Sequence, residues 1–218
     1  MPSQALRDYV LTMRSIDELL CHPDVWRARD QHHSQPPGLP TGFTALDYCL
    51  PGGGWPRQGL IELLTDRSGI GELRLLMPAL AALCGEQHEG GWLAWVSPPY
   101  QPYAPALAAC GIDVERVLVV RSGPAAWVME QALRSGSCSA VLGWVDGIDM
   151  SGLRRLQLAA EQTGCLAVLF RRSQESRLPS PALLRITLAA SHAGLEVRIL
   201  KSRGGRPTGT TLPYGSLQ

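Results

Sequence analysis

A loop with the layout of a phosphate-binding turn interrupts the first half of the chain. An apolar run at 60–64 (Leu-Ile-Glu-Leu-Leu) leads into Thr65-Asp66-Arg67-Ser68-Gly69-Ile70-Gly71-Glu72, and a mostly apolar stretch follows. In a P-loop, backbone N–H groups cradle the phosphates at a helix N-terminus, a lysine reaches the outer phosphates, and the next hydroxyl holds magnesium. The positions that would meet phosphate are Ser68, Gly69, Gly71 and Glu72. The place of the lysine falls on Gly71 or Glu72, according to how the loop is counted, and Leu73 is next. A carboxylate there faces phosphate with like charge, and the only lysine of the chain is Lys201, far away in sequence. The pattern predicts a degenerate P-loop, a nucleotide-binding frame with neither nucleotide nor other cofactor.

The other requirements of phosphoryl transfer point the same way. An acidic residue should end a central strand to organise magnesium, and a carboxylate is usually needed to activate water. The strand predicted at 140–145 ends in Gly143-Trp144-Val145, with Asp146 and Asp149 just beyond it and suited to a loop and a helix N-cap. The other carboxylate belongs just after Trp92–Val96, where the chain has Ser97-Pro98-Pro99. Ser68 lacks the preceding glycine of a nucleophile elbow, because Asp66 stands there. The histidines form no triad, and His32-His33 in a proline-rich linker are read as solvated. No HExxH, paired-cysteine or aspartate cluster suggests a metal. The chain is therefore expected not to be an enzyme.

Positive charge gathers in two stretches: Arg171, Arg172 and Arg177, and then Arg198, Lys201, Arg203 and Arg206. Both are candidates for partner or DNA contact, since a flexible Lys201–Pro207 segment adapts to a phosphate backbone, and both also suit a solvated rim.

These positions must be held by a scaffold, and its punctuation is regular. Strands are predicted at 60–64, 92–96, 117–120, 140–145 and 166–170, alternating with helices at 72–84, 102–110, 124–134 and 151–163, each bounded by Gly or Pro. That alternation calls for a parallel α/β sheet with right-handed crossovers. From about Leu183 the pattern becomes two-residue alternation about a turn at 191–194, an antiparallel hairpin added to the sheet. Before the core, Leu6, Val10, Met13, Ile16 and Leu20 define an amphipathic helix and 24–30 a second short one, suited either to covering the core or to docking on a partner. The domain reading is a helical extension at 1–30, a linker at 31–40, the core at 41–200 and a flexible tail at 201–218, the tail being an expected protein contact.

With 218 residues and a net charge of +1, the chain suits one main domain and has no global basic field. The six cysteines are widely spaced, without a CxxC pair, which suits buried thiols in a reducing cytoplasm. The charged start is unlike a secretory leader, and no apolar stretch is long enough to span a bilayer.

Several segments carry a resemblance. Thr41-Gly42 with Leu46-Asp47 and Leu50-Pro-Gly-Gly-Gly-Trp-Pro resembles the lead-in to the first core strand of RecA, and Gln101-Pro-Tyr-Ala with Gly111-Ile-Asp the stretch after its next strand. His22-Pro-Asp-Val-Trp-Arg, Pro40-Thr-Gly-Phe, the same Leu50-Pro-Gly-Gly-Gly-Trp-Pro and Gly69-Ile-Gly-Glu-Leu-Arg-Leu together look like the ImuA family of RecA-like, SOS-associated proteins. The resemblance implies a RecA-like core sheet and a non-catalytic scaffold for damage-induced translesion synthesis. Its implied partners are ImuB and an error-prone replicative-type DNA polymerase subunit, with RecA itself and weak or indirect DNA contact as further candidates. The counterparts of RecA's DNA-binding loops, 147–150 and 171–181, are short here. The related SulA proteins imply an alternative, inhibition of the division GTPase FtsZ. A residual ATPase drawing charge from Arg67 or Arg74 is the enzymatic alternative.

Overall fold

The computed structural model describes residues 37–85, 91–205 and 207–217. The chain divides into a unit Met1–Pro36 and a unit Pro37–Gln218. The predicted N-terminal helices, most of the linker, His88 and Arg206 lie outside the described residues.

The second unit is built on one eight-stranded sheet of order β3-β2-β4-β5-β1-β6-β7-β8. The strands are β1 (Gly59–Leu64), β2 (Trp92–Val96), β3 (Val117–Val120), β4 (Cys138–Trp144), β5 (Leu166–Arg171), β6 (Leu184–Ser191), β7 (Gly194–Ser202) and β8 (Thr208–Leu212). The first six run parallel, and β7 and β8 are antiparallel to their neighbours. Continuous apolar runs such as Leu-Ala-Val-Leu-Phe in β5 are what a strand covered on both faces requires.

The helices are α1 (Thr44–Asp47), α2 (Met77–Cys84), α3 (Ala104–Ala109), α4 (Ala125–Arg134) and α5 (Met150–Thr163). Two apolar clusters show which face each covers. Leu80 and Leu83 of α2 and Leu107 of α3 pack with Ile61, Leu63, Trp95, Leu142 and Val168 on one face. Met129 and Leu133 of α4 and Leu153 and Leu156 of α5 pack with Leu60, Val96, Val141 and Leu169 on the other. Alternation along each strand divides its side chains between these two layers.

Two expectations are corrected. The helix predicted over 72–84 begins only at Met77, with turns over 72–76. Pro78 is in its first turn and has no N–H to donate to the preceding turn, so a helix is favoured to start near it rather than run through it. The segment read as a tail includes strand β8, which pairs with β7 from Leu195↔Leu212 to Ile199↔Thr208. Its Thr-Gly-Thr-Thr-Leu composition has little apolar alternation, so pairing with β7 rather than pattern sets its conformation.

The glycine-rich segment before β1 is fixed by close backbone approach. Leu39 and Trp55 form a two-hydrogen-bond antiparallel bridge, and a Cβ on Gly54 would meet the Leu39 carbonyl oxygen at 2.2 Å. Trp55 is fully buried, and its indole N–H donates to the Leu75 carbonyl at 3.0 Å, tying this segment to the loop ahead of α2.

Candidate functional site

Because β1, β2, β4 and β5 are parallel, the loops after them leave from one edge of the sheet, the edge where open α/β folds place ligands. The loop after β1 keeps the left-handed glycines of a phosphate cradle, Gly69 at φ 81° and Gly71 at φ 108°. What it holds is its own side chain. The carboxylate of Glu72 accepts the Gly69 N–H at 2.7 Å and the Ile70 N–H at 2.9 Å, and Glu72 is only 4% exposed. Two converging backbone donors are the anion-binding element of such a loop, and here an internal anion takes them. Arg67 and Arg74 are both exposed. Arg74 lies 4.0 Å from the Cys110 sulfur, and no hydrogen bond joins either arginine side chain to the loop glycines among the described residues.

The other two stations also have occupants. At the end of β4, Trp144 stacks on Phe170 with ring centroids 4.4 Å apart and planes within 5°, and it lies 5.9 Å from Trp95. These rings belong to, or pack against, the apolar layer that includes α2, so aromatic bulk fills the end of β4. After β2, Ser97 adopts φ 54°, uncommon for a residue with a side chain, and its N–H donates to the Val120 carbonyl at 2.8 Å. Asp146 lies 3.5 Å from Arg172, both largely exposed.

Asp149 caps α5. Its carboxylate accepts the Gly152 N–H at 2.8 Å, and that bond above all, helped by the Ser151 hydroxyl and the charge of Arg155, holds it below the usual carboxylate range. A depressed folded value means stability that is present above the unfolded carboxylate pKa and lost as pH falls through the folded value. Asp149→Asn keeps a capping oxygen but does not titrate. Its melting temperature is therefore expected to fall less steeply than the wild type's between neutral pH and the acid range; parallel curves would refute the role.

A buried ionic cluster that the sequence reading missed lies behind this edge. Glu62, fully buried in β1, receives the Arg185 Nε–H at 2.6 Å, the Ser180 hydroxyl at 2.8 Å and an Arg171 N–H at 3.3 Å. Arg171 also pairs with Glu175 at 2.7 Å and donates to the Ile148 carbonyl. Arg185 donates to the carbonyls of Glu175, Ser176 and Leu178. Together they pin the loop between β5 and β6 onto the sheet. The one sequence signal was a lone carboxylate inside the apolar run of β1. Arg185 alternates with Leu184 and Ile186 like any polar position of a hairpin and gives none.

This arrangement corrects the list of contact candidates. Arg171 is 3% exposed and engaged internally, so it does not face a partner. Arg172 and Arg177 are exposed. Lys201 lies in β7 and donates to the Ser180 carbonyl at 2.8 Å; burial, with the nearby Arg185 charge, pushes its ammonium pKa down. Arg203 lies 3.7 Å from Glu161, and its N–H donates to the Leu183 carbonyl. Lys201 and the Arg203 backbone thus bond to the segment between β5 and β6 that also carries Arg172 and Arg177. Among the described residues no group of His, Cys, Asp and Glu is placed to hold a metal ion. Cys84 and Cys165 are buried, and burial pushes the Cys165 thiol up to about 12, while Cys49, Cys110 and Cys138 are half-buried. No helix among the described residues is long and apolar enough to cross a membrane.

Comparison with known proteins adds a second line. A family model described as cell division inhibitor SulA matches residues 61–167. Cell division inhibitor SulA of Edwardsiella piscicida is 36% identical over 130 residues, 58% of this chain and 76% of that protein. Protein ImuA of Caulobacter vibrioides is 30% identical over 143 residues, 62% of this chain, and the match spans 58% of ImuA's own length. RecA proteins match at 28–31% identity over 40–54% of their length. Against the crystal structure of SulA from Pseudomonas aeruginosa, the TM-score is 0.42 at 25% identity, covering 51% of this chain and 97% of that one.

Proposed function

This chain belongs to the SulA family, and from that premise we propose that it is a non-catalytic accessory protein of the damage-induced response that acts by binding other proteins. The observation that carries the reading is the Glu72 carboxylate seated on the Gly69 and Ile70 N–H groups. A loop whose anion donors are taken internally does not cradle a nucleotide phosphate, and the Trp144–Phe170 stack stands where a metal-organising carboxylate is needed.

In its finer form the proposal is a mutasome scaffold with a RecA-like core, recruiting ImuB and an error-prone replicative-type polymerase subunit. The identity to ImuA supports it, together with the His22-Pro-Asp-Val-Trp-Arg and Leu50-Pro-Gly-Gly-Gly-Trp-Pro segments. The exposed Arg172, Arg177 and Arg203, with Lys201 beside them, are the proposed contact residues. A second reading, division inhibition through FtsZ, is favoured by the higher identity to SulA and by the matching family model.

The deciding experiment offers ImuB, the polymerase subunit and FtsZ separately to the immobilised full chain, with a parallel titration of a labelled ATP analogue and magnesium. Capture of ImuB is expected. Capture of FtsZ without ImuB would replace the scaffold with the division inhibitor. Saturable analogue binding lost in Arg67→Ala would overturn the non-catalytic reading.

A further inference from the structure

The outer faces of α4 and α5 depart from the pattern of a surface helix, which turns polar residues to water. Trp127 of α4 is 59% and Leu158 of α5 56% exposed. One such residue alone would need no explanation, but these two stand on adjoining helices that pack on each other. Both helices connect parallel strands, α4 from β3 to β4 and α5 from β4 to β5, so they run side by side in the same direction. The Arg155 Nε–H donates to Glu130 at 3.0 Å and fixes which turns are level. Trp127 stands one turn before Glu130, and Leu158 one turn after Arg155. At about 1.5 Å of rise per residue and 8–10 Å between helix axes, the two positions are roughly 12–13 Å apart, on a diagonal across the groove.

The charge of this face is one-sided. Glu130 is 8% exposed and is clamped by Arg134 at 2.8 Å and Arg155 at 3.0 Å. Arg154 is exposed and has no carboxylate partner among the described residues. Farther along α5, Glu161 is matched by Arg203 at 3.7 Å. Three arginines thus surround one nearly hidden carboxylate, on a chain whose net charge is only +1.

We infer that the α4–α5 face docks an acidic amphipathic helix of a partner protein, its apolar side chains seated on Trp127 and Leu158 and its carboxylates level with Arg134, Arg154 and Arg155. Apolar residues eight apart on a helix are separated by about 12 Å, which matches the diagonal. Tryptophan and arginine are also the side chains that most often dominate a protein contact, and carboxylates opposite the arginines give it specificity and speed. A nucleic-acid strand fits less well, because Leu158 offers no ring for a base to stack on and Glu130 lies between the arginines where a phosphate would come. The inference rests on the reading of the chain as a protein-binding module and adds a surface to it, apart from Arg172 and Arg177.

Fluorescence anisotropy on the full chain tests it, with a labelled helical peptide carrying two leucines eight residues apart and glutamates on both flanks. Binding is expected with a dissociation constant on the order of 10–100 μM, weakened by salt and by replacing the glutamates with glutamine. Trp127→Ala should weaken it at least ~10-fold, and Leu158→Gln and Arg154→Glu each at least ~5-fold. All three side chains are exposed, and denaturant unfolding checks that each variant is folded. Arg116→Glu makes the same change of charge outside this face and should leave binding unchanged. A wild type that does not bind the peptide, or binding indifferent to the three variants or to glutamine, would overturn the proposal. So would tighter binding of a labelled oligo(dT) that the same variants abolish, since the face would then serve nucleic acid. Capture of a partner protein by the triple variant as strong as by the wild type would refute this surface and leave the protein-binding reading standing. A wild type that captured no partner would refute that reading itself.

Discussion

Replacing Glu62 with leucine is expected to destabilise the protein by about 3–5 kcal/mol, the scale for removing one partner of a buried ion pair. The side chain is fully buried and receives Arg185, Arg171 and Ser180. Its loss leaves the Arg185 guanidinium with backbone carbonyls alone, while Arg171 keeps Glu175. For a chain of this size the loss corresponds to a melting temperature lower by roughly 6–20 °C. The double variant Glu62→Leu, Arg185→Met is expected to be more stable than Glu62→Leu alone, because no unpaired charge remains at that position and an apolar pair can fill the space. Denaturant unfolding of both single variants and the double variant gives the coupling; additive effects would show that the pair does not act as a unit.

Removing the Glu72 carboxylate carries the second large effect, and it bears on function. Glu72→Ala strips two backbone donors of their acceptor, with an expected loss of about 2–3 kcal/mol, since hydrogen bonds to a charged group contribute more than neutral ones. Glu72→Gln retains an accepting oxygen and should lose less. Glu72→Lys restores the residue type that a P-loop uses, yet no ATP hydrolysis is expected, because the ends of β2 and β4 still present Ser97-Pro98-Pro99 and Trp144. Stability is read by denaturant unfolding and hydrolysis by phosphate release. An alanine variant as stable as the wild type would show that the carboxylate does not hold the loop, and turnover by the lysine variant would show that the other positions had kept their chemistry.

The fold was legible wherever local pattern and global position agree. Five of the six parallel strands, β1 to β5, emerge from continuous apolar runs, and β6 with its antiparallel partner β7 from two-residue alternation. The start of helix α2 was misplaced because Leu73, Leu75 and Leu76 fit a buried turn as well as a buried helix. Strand β8 was missed because a short, threonine-rich edge carries little periodic signal, and its partner β7 supplies the reason for its conformation.

At the candidate site the sequence by itself determined residue types: Glu72 in the loop, Trp144 at the end of β4 and proline after Ser97, in place of the lysine and carboxylates that phosphoryl transfer uses. Only the tertiary structure decided what those residues do instead. Whether Glu72 repels a ligand or replaces one depends on where two N–H groups point. Whether Arg171 meets a partner or Glu62 depends on a pairing of residues 109 positions apart. Hydrogen bonds and ion pairs act over about 3 Å in space, a distance that sequence separation does not encode.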